Sequence, residues 1–125
     1  MTSSSIHTFD LDATEPQAVR KGGNRTIINA SNFPMLKGMA VYLLRLERGG
    51  IGEPHWHPNA AELSFCVRGR ALVTIFGPDA SLDTFTVERG EIVFSHLLYQ
   101  VKLIKGVEFP YIAVDFTLRT LILLN

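Results

Sequence analysis

Short apolar segments, each followed by turn-forming residues, recur along most of this chain and constrain its fold more than any other feature. Apolar residues, many of them β-branched or aromatic, cluster in segments such as RTIINA, ELSFCVRG, RALVTIFG and TFTVERG. Glycine, proline, asparagine or aspartate stands between one segment and the next. Short strands at regular spacing are typical of a β-sandwich or barrel. The sequence therefore predicts an all-β domain.

Length, charge and cysteine content narrow the class of protein further. The 125 residues, 46% of them hydrophobic, are enough for one domain with its own core. Twelve basic and twelve acidic side chains cancel, so charge gives no reason to expect binding to nucleic acid or to an anionic membrane. The single cysteine, Cys66, cannot form an intrachain disulfide, and its apolar neighbours predict that it packs as a small hydrophobic residue. No secretory signal or membrane-spanning stretch is recognised, so we expect a cytoplasmic protein.

The chain divides into a polar beginning and an apolar remainder. Residues 1–25 are rich in Ser, Thr, Asp and Gly and predict an extended N-terminal arm, with one turn of helix near Glu15–Val19. Residues 26–125 form the predicted domain. Several of its strands are apolar on both faces, and such strands need a second layer outside them. We therefore expect a homodimer, with Leu63–Val67 or Leu72–Phe76 near the interface, or an arm that wraps the domain.

The stretch EPHWHPNAAE contains three residues of metal-binding type, His55, His57 and Glu62. The two histidines are two positions apart, which places both imidazoles on one face of a strand. Glu62 follows at an odd offset, but Pro58 and Asn59 interrupt the strand, so the chain can turn and return the carboxylate to the same cavity. Imidazole with carboxylate oxygen suits Mn, Fe, Zn, Ni or Cu. The alternative is a pair of histidines near an unrelated glutamate.

Glycines frame this group, and the complete spacing favours the metal site. The pattern runs from Gly49 through five residues to His55, one to His57, four to Glu62 and six to Gly69. It matches the first cupin motif at every position. Together with the strings INASNFP, GGIGEPHWHPNAAE and GRALVTIFG, it makes the chain similar to a cupin domain of the germin-like oxalate decarboxylases of bacteria and fungi.

The resemblance covers about residues 25–115 and carries expectations about fold and site. It implies a double-stranded β-helix, or jelly roll, with a manganese ion in its mouth. It also implies that His55, His57 and Glu62 bind that ion, together with a fourth histidine from the second cupin motif.

The second motif departs from the family pattern G-x5-P-x-G-x2-H-x3-N. It begins at Gly90, and His96, Leu98, Val101 and Lys105 stand at its proline, glycine, histidine and asparagine positions. Val101 therefore stands where the fourth ligand would be, and valine cannot bind a metal ion. His96 lies five residues earlier and reaches the ion only if the hairpin changes its register.

Two catalytic groups of the family are also missing from their matching positions. Oxalate decarboxylases carry a substrate-binding arginine three residues before the first ligand histidine, where this chain has Gly52. Their lid glutamate has no counterpart in TLRTLILLN, which follows the second motif. Each change removes a charge or a proton donor from the reaction. Full oxalate decarboxylase activity is therefore not expected.

Three hypotheses about function remain open. In the first, a small cupin with a site of two histidines and one glutamate binds or transforms a small polar, carboxylic acid-like molecule, with manganese as the expected ion and iron, nickel or zinc as alternatives. In the second, the domain is a non-catalytic ligand-binding or sensor module. In the third, it is a structural dimer with a vestigial site. The sequence leaves open whether the protein is an enzyme.

Overall fold

The computed structural model of the chain describes residues 5–55, 60–95 and 101–119, with side chains at all of these except 53–55, 101–103, 108–110 and 118–119. The described residues form eight strands and no helix, so none of them belongs to a helix that could cross a membrane. The strands are β1 (Ala18–Arg20), β2 (Gly23–Ile28), β3 (Met39–Leu46), β4 (Ile51–His55), β5 (Ala60–Phe76), β6 (Leu82–Glu88), β7 (Ile92–Ser95) and β8 (Val101–Arg119). The predicted turn of helix near Glu15–Val19 is wrong, because Ala18 and Val19 already pair with β2 as part of β1.

Two long strands, β5 and β8, run antiparallel to each other and organise the fold. Register shifts interrupt their pairing between Cys66 and Ala71, and such irregularities bend a strand. All eight strands belong to one continuous sheet, and the irregular segment divides each long strand into halves that lie in two parts of it, which we call sheet 1 and sheet 2. Sheet 1 contains, in order, β1, β2, β3, residues 111–119 of β8, residues 60–66 of β5, and β7. Sheet 2 contains β4, residues 101–108 of β8, residues 70–76 of β5, and β6.

The hydrophobic core is shared by the two sheets. Sheet 1 contributes Leu46, Cys66, Val93, Tyr111 and Ala113. Sheet 2 contributes Ala71, Val73, Ile75, Val87 and Ile104. Two antiparallel sheets that pack their inner faces against a common core form the jelly-roll arrangement. The predicted fold class is therefore confirmed.

The buried positions of β5 change from even to odd numbers across the register shifts. In the first half of the strand the buried residues are Ala60, Glu62, Ser64 and Cys66, and in the second half they are Ala71, Val73 and Ile75. Successive side chains of a strand point to opposite faces, so an irregular segment can change which residues face inward. Both halves of β5 therefore contribute side chains to the interior. One consequence bears on function: the first half of β5 turns a polar set inward and leaves Leu63, Phe65 and Val67 exposed.

The N-terminal residues make contacts with sheet 1. Asp12 forms an ion pair with Arg45 of β3 at 3.2 Å. The side-chain amide of Gln17 accepts a hydrogen bond from the backbone N–H of Ile27 at 2.7 Å and donates one to its carbonyl at 2.9 Å. β2 runs without interruption across the predicted arm boundary at residue 25. The last residues of the predicted arm are thus part of the sheet.

The outer face of sheet 1 is apolar on the side of β5 and β7. Leu63 lies opposite Phe94, and Phe65 lies opposite Ile92. More than a third of each of these four side chains is exposed. We call Leu63, Phe65, Ile92 and Phe94 the outer apolar strip. The contacts of the N-terminal residues are made with β2 and β3, near the opposite edge of sheet 1 from β5 and β7.

Candidate metal site

Glu62 is the one predicted ligand whose side chain the structure describes. It lies on the inner face of sheet 1 and is only 3% exposed. The hydroxyl of Ser64, two residues along the same strand, donates a long hydrogen bond of 3.5 Å to its Oε1. Burial of a carboxylate is costly unless hydrogen bonds, a cation or a metal ion offset the loss of water. The inward, buried position of Glu62 is compatible with its predicted role as a metal ligand.

The strand position of His55 follows from an irregularity in the pairing of β4 with β8. Gly52 pairs with Ile104 and His55 pairs with Lys102, so three steps along β4 correspond to two along β8. An extra residue reverses the alternation of a strand beyond it. Position 55 therefore lies on the same face of sheet 2 as Gly52, although the two positions are an odd number of residues apart. Lys102 in turn pairs with Ile75, which is buried in the core.

Gly52 faces an apolar wall. A β-carbon at this position would lie 3.7 Å from Cβ of Ile104 and 3.8 Å from Cδ2 of Leu44, which is ordinary van der Waals contact. A β-carbon thus fits at the position that is expected to carry the substrate-binding arginine in oxalate decarboxylases. In this chain it contributes no charge to the interior.

Four polar residues that the sequence analysis did not single out line the same inner face as Glu62. Across the strand pairs, Glu62 lies opposite Ser95 of β7 and Thr117 of β8, and Ser64 lies opposite Asp115 of β8. All of these side chains are buried. We call Glu62, Ser64, Ser95, Asp115 and Thr117 the polar wall. The available signal was the alternation of Asp115 and Thr117 with Val114 and Phe116, but hydrophobic patterning alone would have placed the apolar set inside.

The polar wall is followed by residues of the hydrophobic core on the same face, nearer the bend of β5. Cys66 and Ala113 follow on the same face, and Tyr111 lies beyond them. Burial raises the pKa of Tyr111 above its ordinary value, and the Asp115 carboxylate, the Cys66 thiol and the Glu62 carboxylate raise it further. The Tyr111 hydroxyl is therefore a weaker acid than that of a free tyrosine side chain. Burial also raises the pKa of the Cys66 thiol, in agreement with the prediction that this residue packs in the core.

The other predicted site positions fall partly outside the described residues. This applies to His57, to His96 and Leu98 of the second motif, and to the side chains of His55 and Val101. Within the described part of the chain, no group of three or more His, Cys, Asp or Glu side chains is placed to hold a metal ion. The assignment of His55, His57 and Glu62 as a metal site consequently remains a prediction. Of these three residues, only Glu62 has a side chain that the structure describes.

The sequence of the chain matches the model of a protein family. The model described as Cupin aligns with residues 9–97, more than half of the chain. The chain therefore belongs to the cupin family, as its first motif predicted.

Comparison with curated proteins gives oxalate decarboxylases and germin-like proteins. The chain is 35% identical over 85 residues to oxalate decarboxylase OxdC of Bacillus subtilis (strain 168), which covers 68% of this chain and 22% of that protein. It is 34% identical over 92 residues to a probable oxalate decarboxylase of Arthroderma benhamiae, with 73% and 23% covered. It is 29% identical over 108 residues to a putative germin-like protein of Arabidopsis thaliana, with 82% and 48% covered. The chain thus spans less than a quarter of these oxalate decarboxylases.

Solved structures agree on the fold. A structure of Bacillus subtilis oxalate decarboxylase, a protein with Mn(II) centres, has a TM-score of 0.81 at 23% identity and covers 89% of this chain and 29% of its own. A formate complex of Lactobacillus farciminis oxalate decarboxylase has the same TM-score and identity, with 89% and 32% covered. The predicted double-stranded β-helix is therefore confirmed.

Proposed function

We propose that this chain is a metal-binding cupin domain in which His55, His57 and Glu62 bind one divalent ion. We propose also that the domain uses this ion to bind or transform a small polar, carboxylic acid-like molecule. The burial of Glu62 on the inner face of sheet 1 is the main structural support for this proposal. The pairing of His55 with Lys102, which pairs in turn with the buried Ile75, adds to it. The two sheets would then supply ligands from opposite sides of one interior.

Manganese is the ion that we propose, with iron, nickel and zinc as alternatives. Imidazole and carboxylate donors suit all four ions. The Mn(II) centres of Bacillus subtilis oxalate decarboxylase favour manganese among them. Two histidines and one carboxylate leave coordination positions open, so that a bound ion can polarise an oxygen atom of a small molecule.

We do not propose full oxalate decarboxylase activity. Position 52 lies on the inner face and carries glycine, so it offers no cation to a substrate carboxylate. Loss of a single well-placed charged group or hydrogen-bond donor typically lowers a reaction rate by about a hundredfold or more. Binding of a small acid, with slow turnover or none, is the behaviour that this arrangement supports.

Elemental analysis of the purified protein tests the metal assignment. His55→Ala, His57→Ala and Glu62→Gln should each lower the bound manganese to a small fraction of the wild-type amount. His7→Ala and Glu47→Gln are matched controls, because both of these residues are exposed, and they should leave the metal content unchanged. Unchanged metal content in all three ligand variants would show that the site lies elsewhere.

We also propose that the protein is a cytoplasmic homodimer. The outer apolar strip supports the dimer, because isolated exposed hydrophobic residues are common but a contiguous group on one sheet face marks an interaction surface. A second copy would cover the strip with the same strip of its own chain, as twofold symmetry requires.

A further inference from the structure

We propose that Asp115 is a further protein ligand of the metal ion and takes the place of the histidine that the second cupin motif lacks here. We propose further that the hydroxyl of Ser95 binds a water molecule or small ligand held by that ion. The inference rests on the proposed function, because it concerns the same site. It adds a ligand from the second half of β8, fourteen positions beyond Val101 in the sequence numbering.

The register of sheet 1 brings the Asp115 and Glu62 positions together. Asp115 lies directly opposite Ser64, whose hydroxyl donates to Glu62 Oε1. Asp115 and Glu62 are therefore diagonal neighbours on one face of an antiparallel pair, where Cβ atoms are about 7 Å apart. A carboxylate oxygen binds a divalent transition metal at about 2.0–2.2 Å. An ion between the two side chains is thus within reach of both carboxylates.

Burial gives both carboxylates a reason to share a cation. Asp115 is 5% exposed and Glu62 is 3% exposed. Two neighbouring carboxylates in one buried wall have lost most of their water and repel each other whenever both are ionised, and a divalent ion offsets both effects.

Ser95 is an independent indication that a ligand binds at the wall. Its side chain is more than nine-tenths buried and lies directly opposite Glu62 across β5 and β7. Its Oγ forms no hydrogen bond with any residue that the structure describes. A buried hydroxyl usually has a partner, because an unsatisfied one costs about 1–3 kcal/mol. A water molecule or ligand oxygen on an ion bound by Glu62 would satisfy it.

Mn(II) titration of the full chain by calorimetry tests the assignment of Asp115. Asp115→Asn preserves the size of the side chain and should weaken Mn(II) binding by about tenfold or more. Asp83→Asn, on the exposed surface of β6, makes the same carboxylate-to-amide change away from the site and should leave the affinity within about twofold of wild type. His55→Ala should abolish binding if the underlying metal site is correct.

Electron paramagnetic resonance of the Mn(II)-loaded proteins gives a second readout. Asp115→Glu keeps the carboxylate but moves it by one methylene, so it should change the zero-field splitting of bound Mn(II), and Ser95→Ala should change it by removing a hydrogen bond to a ligand of the ion. This measurement decides the matter if Asp115→Asn fails to fold. An unchanged spectrum for both variants would overturn the proposal.

The outcomes separate the two proposals. If His55→Ala abolishes Mn(II) binding and Asp115→Asn binds as tightly as wild type, Asp115 is not a ligand and the proposed function stands. If neither variant alters Mn(II) binding, the metal site itself is misplaced, and the role of Asp115 falls with it. Loss of binding in His55→Ala and weaker binding in Asp115→Asn, with normal binding in Asp83→Asn, supports the fourth-ligand assignment.

Discussion

A histidine introduced at the start of β8 tests how the second motif faces the metal site. The family spacing places the missing ligand at Val101, but the structure pairs this position with Phe76, which is 40% exposed. The next position, Lys102, pairs with Ile75, which is 8% exposed, and with His55 of β4. Adjacent strand positions belong to opposite faces. We therefore expect Lys102→His, and not Val101→His, to add an imidazole to the site.

The expected gain is about tenfold in Mn(II) affinity, the amount by which a single supporting group commonly changes metal binding. Tenfold corresponds to about 1.4 kcal/mol, which should also appear as added stability when the metal is saturating. Lys102→Ala is the necessary control, because removal of a cation from the same strand favours binding of a divalent ion without adding a ligand. Lys105→His is the second control, since Lys105 is exposed on the same strand.

Calorimetry with Mn(II) on the five proteins gives a direct answer. The reasoning from register is refuted if Val101→His binds Mn(II) more tightly than wild type and Lys102→His binds no more tightly than Lys102→Ala. In that case the family spacing is the better guide to the start of β8. If neither histidine helps, that end of β8 does not face the ion, and His96 becomes the candidate from the second motif.

Three further predictions concern the rest of the domain. The folded state raises the pKa of Tyr111 above its value of about 10 in the unfolded chain. The contribution of Tyr111 to the free energy of unfolding should therefore be constant below pH of about 10 and fall as the pH rises further. Tyr111→Phe should reduce this loss of stability at alkaline pH, measured by urea denaturation. Cys66 is buried and its pKa is raised, so iodoacetamide at pH 8 should leave it unmodified in the native protein and modify it fully in urea; rapid native labelling would contradict its core position. Light scattering at micromolar concentration should give the mass of a dimer for wild type and the mass of a monomer for Phe65→Lys and Phe94→Lys. Leu82→Lys, at an exposed position of sheet 2, is the control and should stay dimeric. A monomeric wild type would contradict the proposed interface.

Local sequence patterns determined the strand content and the family of this protein. The turn residues between apolar segments require only neighbours in the chain to take effect, and the all-β content of the described residues follows from them. The number of strands does not, because β5 joins the segments ELSFCVRG and RALVTIFG in one strand. The spacing from Gly49 to Gly69 is also local, and it identified the cupin family and the three candidate ligands His55, His57 and Glu62. The predicted turn of helix failed for a non-local reason, since pairing with β2 holds Ala18–Arg20 as a strand.

Which side chains face the interior was decided only by tertiary structure. In β5 the apolar residues Leu63 and Phe65 alternate with Glu62 and Ser64, and hydrophobicity alone would bury the apolar pair. The structure buries the polar pair instead, because the register of β5 between β7 and β8 sets the face and the irregular segment after Cys66 resets it for the second half of the strand. The same pairing brings Asp115, more than fifty residues away in the sequence, to a position opposite Ser64 and diagonal to Glu62. No local pattern could specify that neighbour, since it depends on how two distant strands align.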